Sequence, residues 1–316
     1  MADGWRVIAR AALVRMVVMD PELEPFVPLL PLTDLNDPQA ARRVYAELTT
    51  ARPAPQTAHL EIEDRAVPAD PDVPVRIYRP RQARGAVIWL HGGGWVLGNL
   101  DTEHTWAARI ATDSGAVVVS VDYRRAPEHR FPAALDDAYA VLSWTAEHAA
   151  ELGVDPERIA IGGHSAGANL AAAVALRARD RQGPPIRFQL LNEAPLDDRQ
   201  ESWSARHFTD TPWSNRRQVA AAWRHYLGGT PASAYTAPAR ATDLAGLPPA
   251  YVAASEFDPN RDEDIDYALR LLRAGVSVEL HQWPGTFHGS QAILSAEISQ
   301  RQVAELGAAL RRALAG

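Results

Sequence analysis

The chain has 316 residues, is 47% hydrophobic and carries a formal net charge of −7. Its length suits one large core with a small accessory layer, and an acidic balance with no Lys- or Arg-rich run argues against nucleic acid or an anionic membrane as partner. There are no cysteines, which excludes disulfides, thiolate catalysis and thiolate metal sites and suits a cytoplasmic enzyme.

Residues 1–19 read as an amphipathic helix or a poorly ordered extension. The apolar run 7–19 is broken by Arg10 and Arg15, so it lacks the uncharged core of a signal peptide. No stretch reaches the length of a transmembrane helix. Residues 20–55 are punctuated by prolines, with a helix expected at 39–49, and 1–55 reads as an N-terminal arm or cap. Strand signals follow at 59–63 and 73–79. The fully apolar strand Ala86–Leu90 comes next and ends at His91-Gly92-Gly93-Gly94-Trp95. Residues 102–113 read as a helix, 116–121 as a buried strand, 132–152 as a long helix with proline in its first turn, and 158–162 as a strand. A helix at 168–181 and a strand at 186–191 complete the first part of the core, 56–194. Residues 195–235 break this alternation and carry Trp203, Trp213 and Trp223 among polar residues. They read as a cap insertion with one helix, 215–227. The core resumes over 236–316, with strands at 250–254 and 276–282 and helices at 261–274 and 292–314. Eight short apolar strands alternating with helices imply an α/β fold: a mostly parallel sheet with helices on both faces and the two early, antiparallel strands at one edge.

In such a sheet, reactive groups gather in the loops beyond the strand C-termini. Four loops qualify. Gly163-His164-Ser165-Ala166-Gly167 reads Gly-x-Ser-x-Gly between a strand and a helix, the setting that holds a serine hydroxyl exposed on a tight turn. Gly92-Gly93-Gly94 follows a buried strand and leaves backbone N–H groups uncovered. Gly93 and Gly94, with Ala166, are the expected oxyanion donors. Asp258 lies in the loop after strand 250–254 and is preferred over Glu256, Asp262 and Glu263 as a partner for a histidine. His288 sits in the loop after the last strand, whereas His281 falls inside that strand. The order Ser165, Asp258, His288 is that of an α/β-hydrolase triad. His164 reads as a bystander whose ring leaves the turn on another side. No metal spacing and no phosphate loop is present, so neither metal nor cofactor is expected.

These motifs resemble those of the hormone-sensitive-lipase-like esterases (bacterial family IV). His91-Gly92-Gly93-Gly94-Trp95, Asp122-Tyr123-Arg124-Arg125-Ala126-Pro127-Glu128, the Ser165 pentapeptide and Asp258-Pro259-Asn260-Arg261-Asp262-Glu263 carry the likeness. Leu196-Asp197-Asp198-Arg199, Asp210-Thr211-Pro212 and residues 284–290 are similar to an acetyl-esterase branch that includes heroin esterase. The resemblance implies cofactor-free hydrolysis of short-acyl carboxylic esters. It also implies a cap built from the N-terminal segment and the insertion, and frequent homodimers through the last strand and helix. The chain departs from the family pattern at Arg125, His164, Ala168, Asn260 and the polar run Asn192-Glu193-Ala194. Trp95, Asn192 and Glu193 are therefore expected to touch substrate, the last two through a polar or cationic group. An amidase, lactonase or acyltransferase on the same triad, and a binding protein on the same scaffold, are the competing functions.

Overall fold

The computed structural model describes residues 18–315 apart from 31–32, 51–53 and 84, so the reading of 1–19 as a helix or extension falls almost wholly outside the described residues. Eight strands form one sheet: β1 (Leu60–Val67), β2 (Val73–Pro80), β3 (Ala86–Leu90), β4 (Val117–Val121), β5 (Ile159–His164), β6 (Phe188–Asn192), β7 (Ala250–Phe257) and β8 (Val278–Phe287). Their spatial order is β1-β2-β4-β3-β5-β6-β7-β8. β2 runs antiparallel to both neighbours and every pair from β4 to β8 is parallel, so the antiparallel strands form one edge. Nine helices are described: α1 (Pro38–Thr50), α2 (Leu100–Ser114), α3 (Ala133–Glu147), α4 (Ala149–Leu152), α5 (Ala166–Arg181), α6 (Trp203–His207), α7 (Arg216–Leu227), α8 (Arg261–Arg273) and α9 (Glu297–Ala315).

The central strands β3 and β4 are buried at every residue. That is why they read as unbroken apolar runs: helices cover both faces, so no face needs to be polar. Successive side chains enter opposite cores. Ile88 joins the core beneath α3, α5 and α8, while Val87 and Trp89 join the one beneath α2 and α9. α2 begins with a capping box, in which Asn99 accepts the Asp101 and Thr102 N–H groups and the Thr102 hydroxyl accepts the N–H of Asn99. The long helix expected at 132–152 is instead two, because the backbone leaves helical dihedrals at His148 (φ −103°, ψ 16°). The final helix starts at Glu297 rather than 292, since Ser290–Ala292 forms a separate 3₁₀ turn.

The insertion holds two helices rather than one. α6 spans five residues, too few for a periodic signal, and is capped by Ser202, whose hydroxyl accepts the Ala205 N–H. The arm and the insertion are fastened to each other over the strand ends. Gln218 on α7 donates to the Thr33 carbonyl at 2.9 Å, His225 to the Leu35 carbonyl at 2.7 Å, and Arg224 to Asn36 Oδ1 at 2.9 Å. Arg42 on α1 ties this cap to the core. Its guanidinium donates to the Val96 carbonyl (2.8 Å), to the Ala126 carbonyl (2.9 Å) and, in bidentate fashion, to Glu128 (2.9 and 2.7 Å). The pairing holds the Glu128 carboxyl down at about 2. None of the described helices is long and apolar enough to cross a membrane.

Arg42→Ala unpairs two backbone carbonyls as well as Glu128. It is expected to lower stability by about 1–3 kcal/mol in urea denaturation. Arg42→Lys should recover only part of this, because one ammonium cannot reproduce the planar fork.

Candidate active site

Ser165 lies between the end of β5 and the start of α5 with φ 54° and ψ −125°. A non-glycine residue adopts this backbone only when its surroundings compel it. Here the compulsion is a close approach of chains. A Cβ on either Gly163 or Gly167 would overlap the carbonyl oxygen of Leu90, the last residue of β3. Two glycines therefore let α5 and β5 press against β3, and the serine between them is pushed up above the sheet. Its N–H donates to the Asn192 carbonyl at 2.8 Å, which ties the turn to the end of β6.

Asp258 and His288 arrive from the ends of β7 and β8. His288 Nε2 lies 2.9 Å from Ser165 Oγ, and His288 Nδ1 lies 2.7 Å from Asp258 Oδ2. Asp258 is fully buried, and its other oxygen accepts the Asn260 N–H at 2.9 Å. The neighbouring acids are committed elsewhere. Glu256 accepts the Gly285 N–H at 2.6 Å, Asp262 the Ser204 N–H at 2.8 Å, and Glu263 the Asp197 N–H. Burial works to lower the His288 pKa, but the Asp258 carboxylate and then Glu193 outweigh it and raise it to about 9. With Nδ1 donating to Asp258, the neutral ring presents Nε2 as an acceptor for the serine hydroxyl.

Two residues expected to meet substrate do something else. Glu193 is buried beneath the histidine loop rather than facing the cavity. It accepts the N–H of Gly289 (2.9 Å), the side-chain amide of Gln291 (3.0 Å) and the Ser255 hydroxyl (2.5 Å), and it lies 3.9 Å from His288 Nδ1. No polar atom of its carboxylate is left for a ligand. Like Ser165, it sits at positive φ, 55°. Asn192 is buried as well, and the contact it makes to the site is the backbone carbonyl that holds Ser165. Sequence position placed both near the site correctly but could not say which way they point.

The glycine loop stands beside Ser165. Gly93 adopts φ 111° and Gly94 φ 61°, and both line the cavity. The Gly92 N–H lies 3.2 Å from His164 Nε2, whereas Gly93 and Gly94 line the cavity. The Ser165 hydroxyl hydrogen-bonds to His288, and the His164 ring turns instead to the glycine loop, as expected of a residue that is not the base. Its Nε2 sits between the Gly92 amide and the buried Glu103 carboxylate, 3.4 Å away, and Glu103 also accepts the Trp89 indole N–H at 2.6 Å. Burial acts to raise the Glu103 pKa, but His164 outweighs it and the carboxyl stays below its ordinary value.

The cavity above Ser165 measures about 120 Å³. Leu35 and Tyr45 from the arm, Val219 and Ala222 from α7, and Trp106 and Trp213 wall it. Trp95, expected in the pocket, is among the residues lining the cavity, although it is fully buried from bulk solvent. Its ring stacks on Tyr226 (4.4 Å, 5°) and tilts against Trp223 (4.6 Å), which back this part of the wall. The three tryptophans of the insertion have three separate fates: Trp223 is core, Trp213 lines the cavity, and Trp203 is largely exposed, stacked on His207. Glu193, Asp258 and His288 bring possible metal-ligand atoms within 4.8 Å of one another. Every one of these atoms that faces another is already in a hydrogen bond of the chain described above.

Glu193→Gln keeps the shape of this buried group and removes a charge that raises the histidine pKa. His288 is expected to titrate at lower pH in the variant by NMR of the labelled imidazole; an unmoved titration would show that Glu193 acts through packing alone.

Residues 87–292 match the family model described as the alpha/beta hydrolase fold. The chain is 42% identical over 284 residues to carboxylesterase NlhH of Mycobacterium tuberculosis, covering 86% of this chain and 88% of that protein. It is 44% identical over 247 residues to esterase LipI of the same organism, covering 74% and 76%. Among solved structures, a bacterial heroin esterase superposes with a TM-score of 0.91 at 42% identity, covering 94% of this chain and 98% of the other. The chain belongs to the α/β-hydrolase-fold family, in the hormone-sensitive-lipase-like group whose motifs it carries.

Proposed function

We propose that this protein is a serine carboxylesterase that hydrolyses small, short-acyl carboxylic esters through Ser165, His288 and Asp258. The observation that carries the reading is the continuous hydrogen-bonded chain from Ser165 Oγ to His288 to Asp258, at 2.9 and 2.7 Å. The names of its relatives, carboxylesterase and esterase, support the same reaction class.

In this mechanism His288 Nε2 takes the Ser165 proton as Oγ attacks the ester carbonyl, while Asp258 holds the ring and stabilises the imidazolium. The developing oxyanion is met by the N–H groups of Gly93, Gly94 and Ala166. The Ala166 amide suits this role because it opens α5, where N–H groups have no intrahelical acceptor and the helix dipole favours negative charge. The alcohol leaves with the proton from His288, and water then repeats the sequence on the acyl-enzyme. The cavity of about 120 Å³, walled in part by Trp106 and Trp213, supports a short acyl group.

Ser165→Ala is expected to lower turnover of p-nitrophenyl acetate by roughly 10⁴–10⁶-fold while thermal unfolding stays unchanged. A fluorophosphonate probe should label the parent and not the variant. Failure of the parent to label would favour a ligand-binding role on this scaffold. The pH dependence follows from His288. A base raised to about 9 is mostly protonated at neutral pH, so its active neutral form grows as pH rises. kcat/KM is expected to climb by roughly tenfold per pH unit well below that value and to level off above it. A profile flat from pH 6 to 9 would show that the ring is already neutral.

A further inference from the structure

A second cavity of about 190 Å³ lies beside the first, lined by Phe26, Leu29, Leu30 and Leu48 of the arm and by Ile293. Its lining side chains are aliphatic or aromatic, it opens to solvent at the exposed Leu29, and it shares Trp213 and Ala292 with the cavity above Ser165. Trp213 and Ala292 are thus common to the walls of both spaces. Ala292 lies four residues beyond His288, in the 3₁₀ turn that follows the histidine loop.

The backbone at Trp213 is unusual in its own right. Its φ is 61°, and the Ser214 N–H donates to the Pro212 carbonyl across it at 2.7 Å. That is a γ-turn with positive φ, the rare and strained form. The Thr211 hydroxyl donates to the Ser214 carbonyl at 2.6 Å and pins the turn. Strain of this kind persists only where the surroundings over-determine it, and it concentrates at functional sites. Its effect here is to press the ring against Gly289, next to His288. A Cβ at Gly289 would meet the indole at 3.3 Å.

We propose that Trp213 is the chain-length determinant of this enzyme: the wall that ends the catalytic cavity and seals off an apolar subsite able to take an alkyl chain of the ester. The inference rests on the ester-hydrolase reading above and goes beyond it by naming the residue that limits substrate size and the space it closes. An alkyl chain is the occupant because the subsite is lined by aliphatic and aromatic side chains and adjoins the cavity that holds Ser165 and His288. Each methylene moved from water into such a lining is worth about fourfold in binding. With the wall in place that gain is withheld from long esters.

The test compares kcat/KM for p-nitrophenyl acetate and p-nitrophenyl octanoate in the parent and in Trp213→Ala. Ethyl acetate and octyl acetate form a second series, and rates are normalised to fluorophosphonate-titrated sites so that misfolded protein does not count. In Trp213→Ala the octanoate-to-acetate ratio, or the octyl-to-ethyl ratio, is expected to rise by about tenfold or more. The series that responds identifies whether the acyl or the alcohol chain enters. Refilling the far side in Trp213→Ala/Leu48→Trp should abolish the gain. Ratios within twofold of the parent in both series, or a gain that survives the refilling, would overturn the proposal with the esterase reading intact. A parent that neither labels nor hydrolyses any ester would remove the esterase reading itself, and this inference with it.

Discussion

The contact on which the site depends is the approach of Gly163 and Gly167 to the carbonyl of Leu90. It does two things at once. It forces Ser165 into a positive-φ turn above the sheet, and it brings the end of β3 to the serine, so that the glycine loop beginning at His91 stands beside the hydroxyl. Packing density makes this an all-or-none arrangement: a methyl group at either glycine has no space to occupy. The serine and the amides expected to serve it are therefore positioned by the same backbone contact.

Charge around His288 is arranged by a second constraint. Asp258 and Glu193 are buried beside it, and Asp264 and Glu263 are buried close enough to Asp258 to feel its charge. Burial pushes the carboxyls of Asp264 and Glu263 well above the ordinary range, with neighbouring carboxylates adding to the effect. Both favour the neutral form and spend an oxygen on a backbone N–H, that of Ala194 or Asp197. The negative charge that the histidine feels thus comes from Asp258 and Glu193, the two groups that raise its pKa.

The arm and the insertion pack apolar residues such as Leu35, Trp223 and Tyr226 into the main core, and a few long polar side chains tie them together. Arg42, Gln218 and His225 donate to backbone carbonyls across segments far apart in sequence. Because the arm and the insertion both contribute walls to the cavity, the fit of the cap sets the size of the site without touching the reacting groups.

The sequence by itself determined the alternation of buried strands and helices, the edge position of the antiparallel pair, and the identity of Ser165, Asp258 and His288 as loop residues at strand ends. These are legible because they depend on local periodicity, on glycines at fixed spacing and on chain order. It did not reveal that Glu193 supports the histidine loop, that His164 lies beside Glu103 at the glycine loop, or that the insertion holds two helices. The tertiary structure alone decided these. Each depends on which way a side chain points once strands β5, β6 and β7 stand side by side, or on an element too short to show a period, and neither property is carried by the residues in their own neighbourhood.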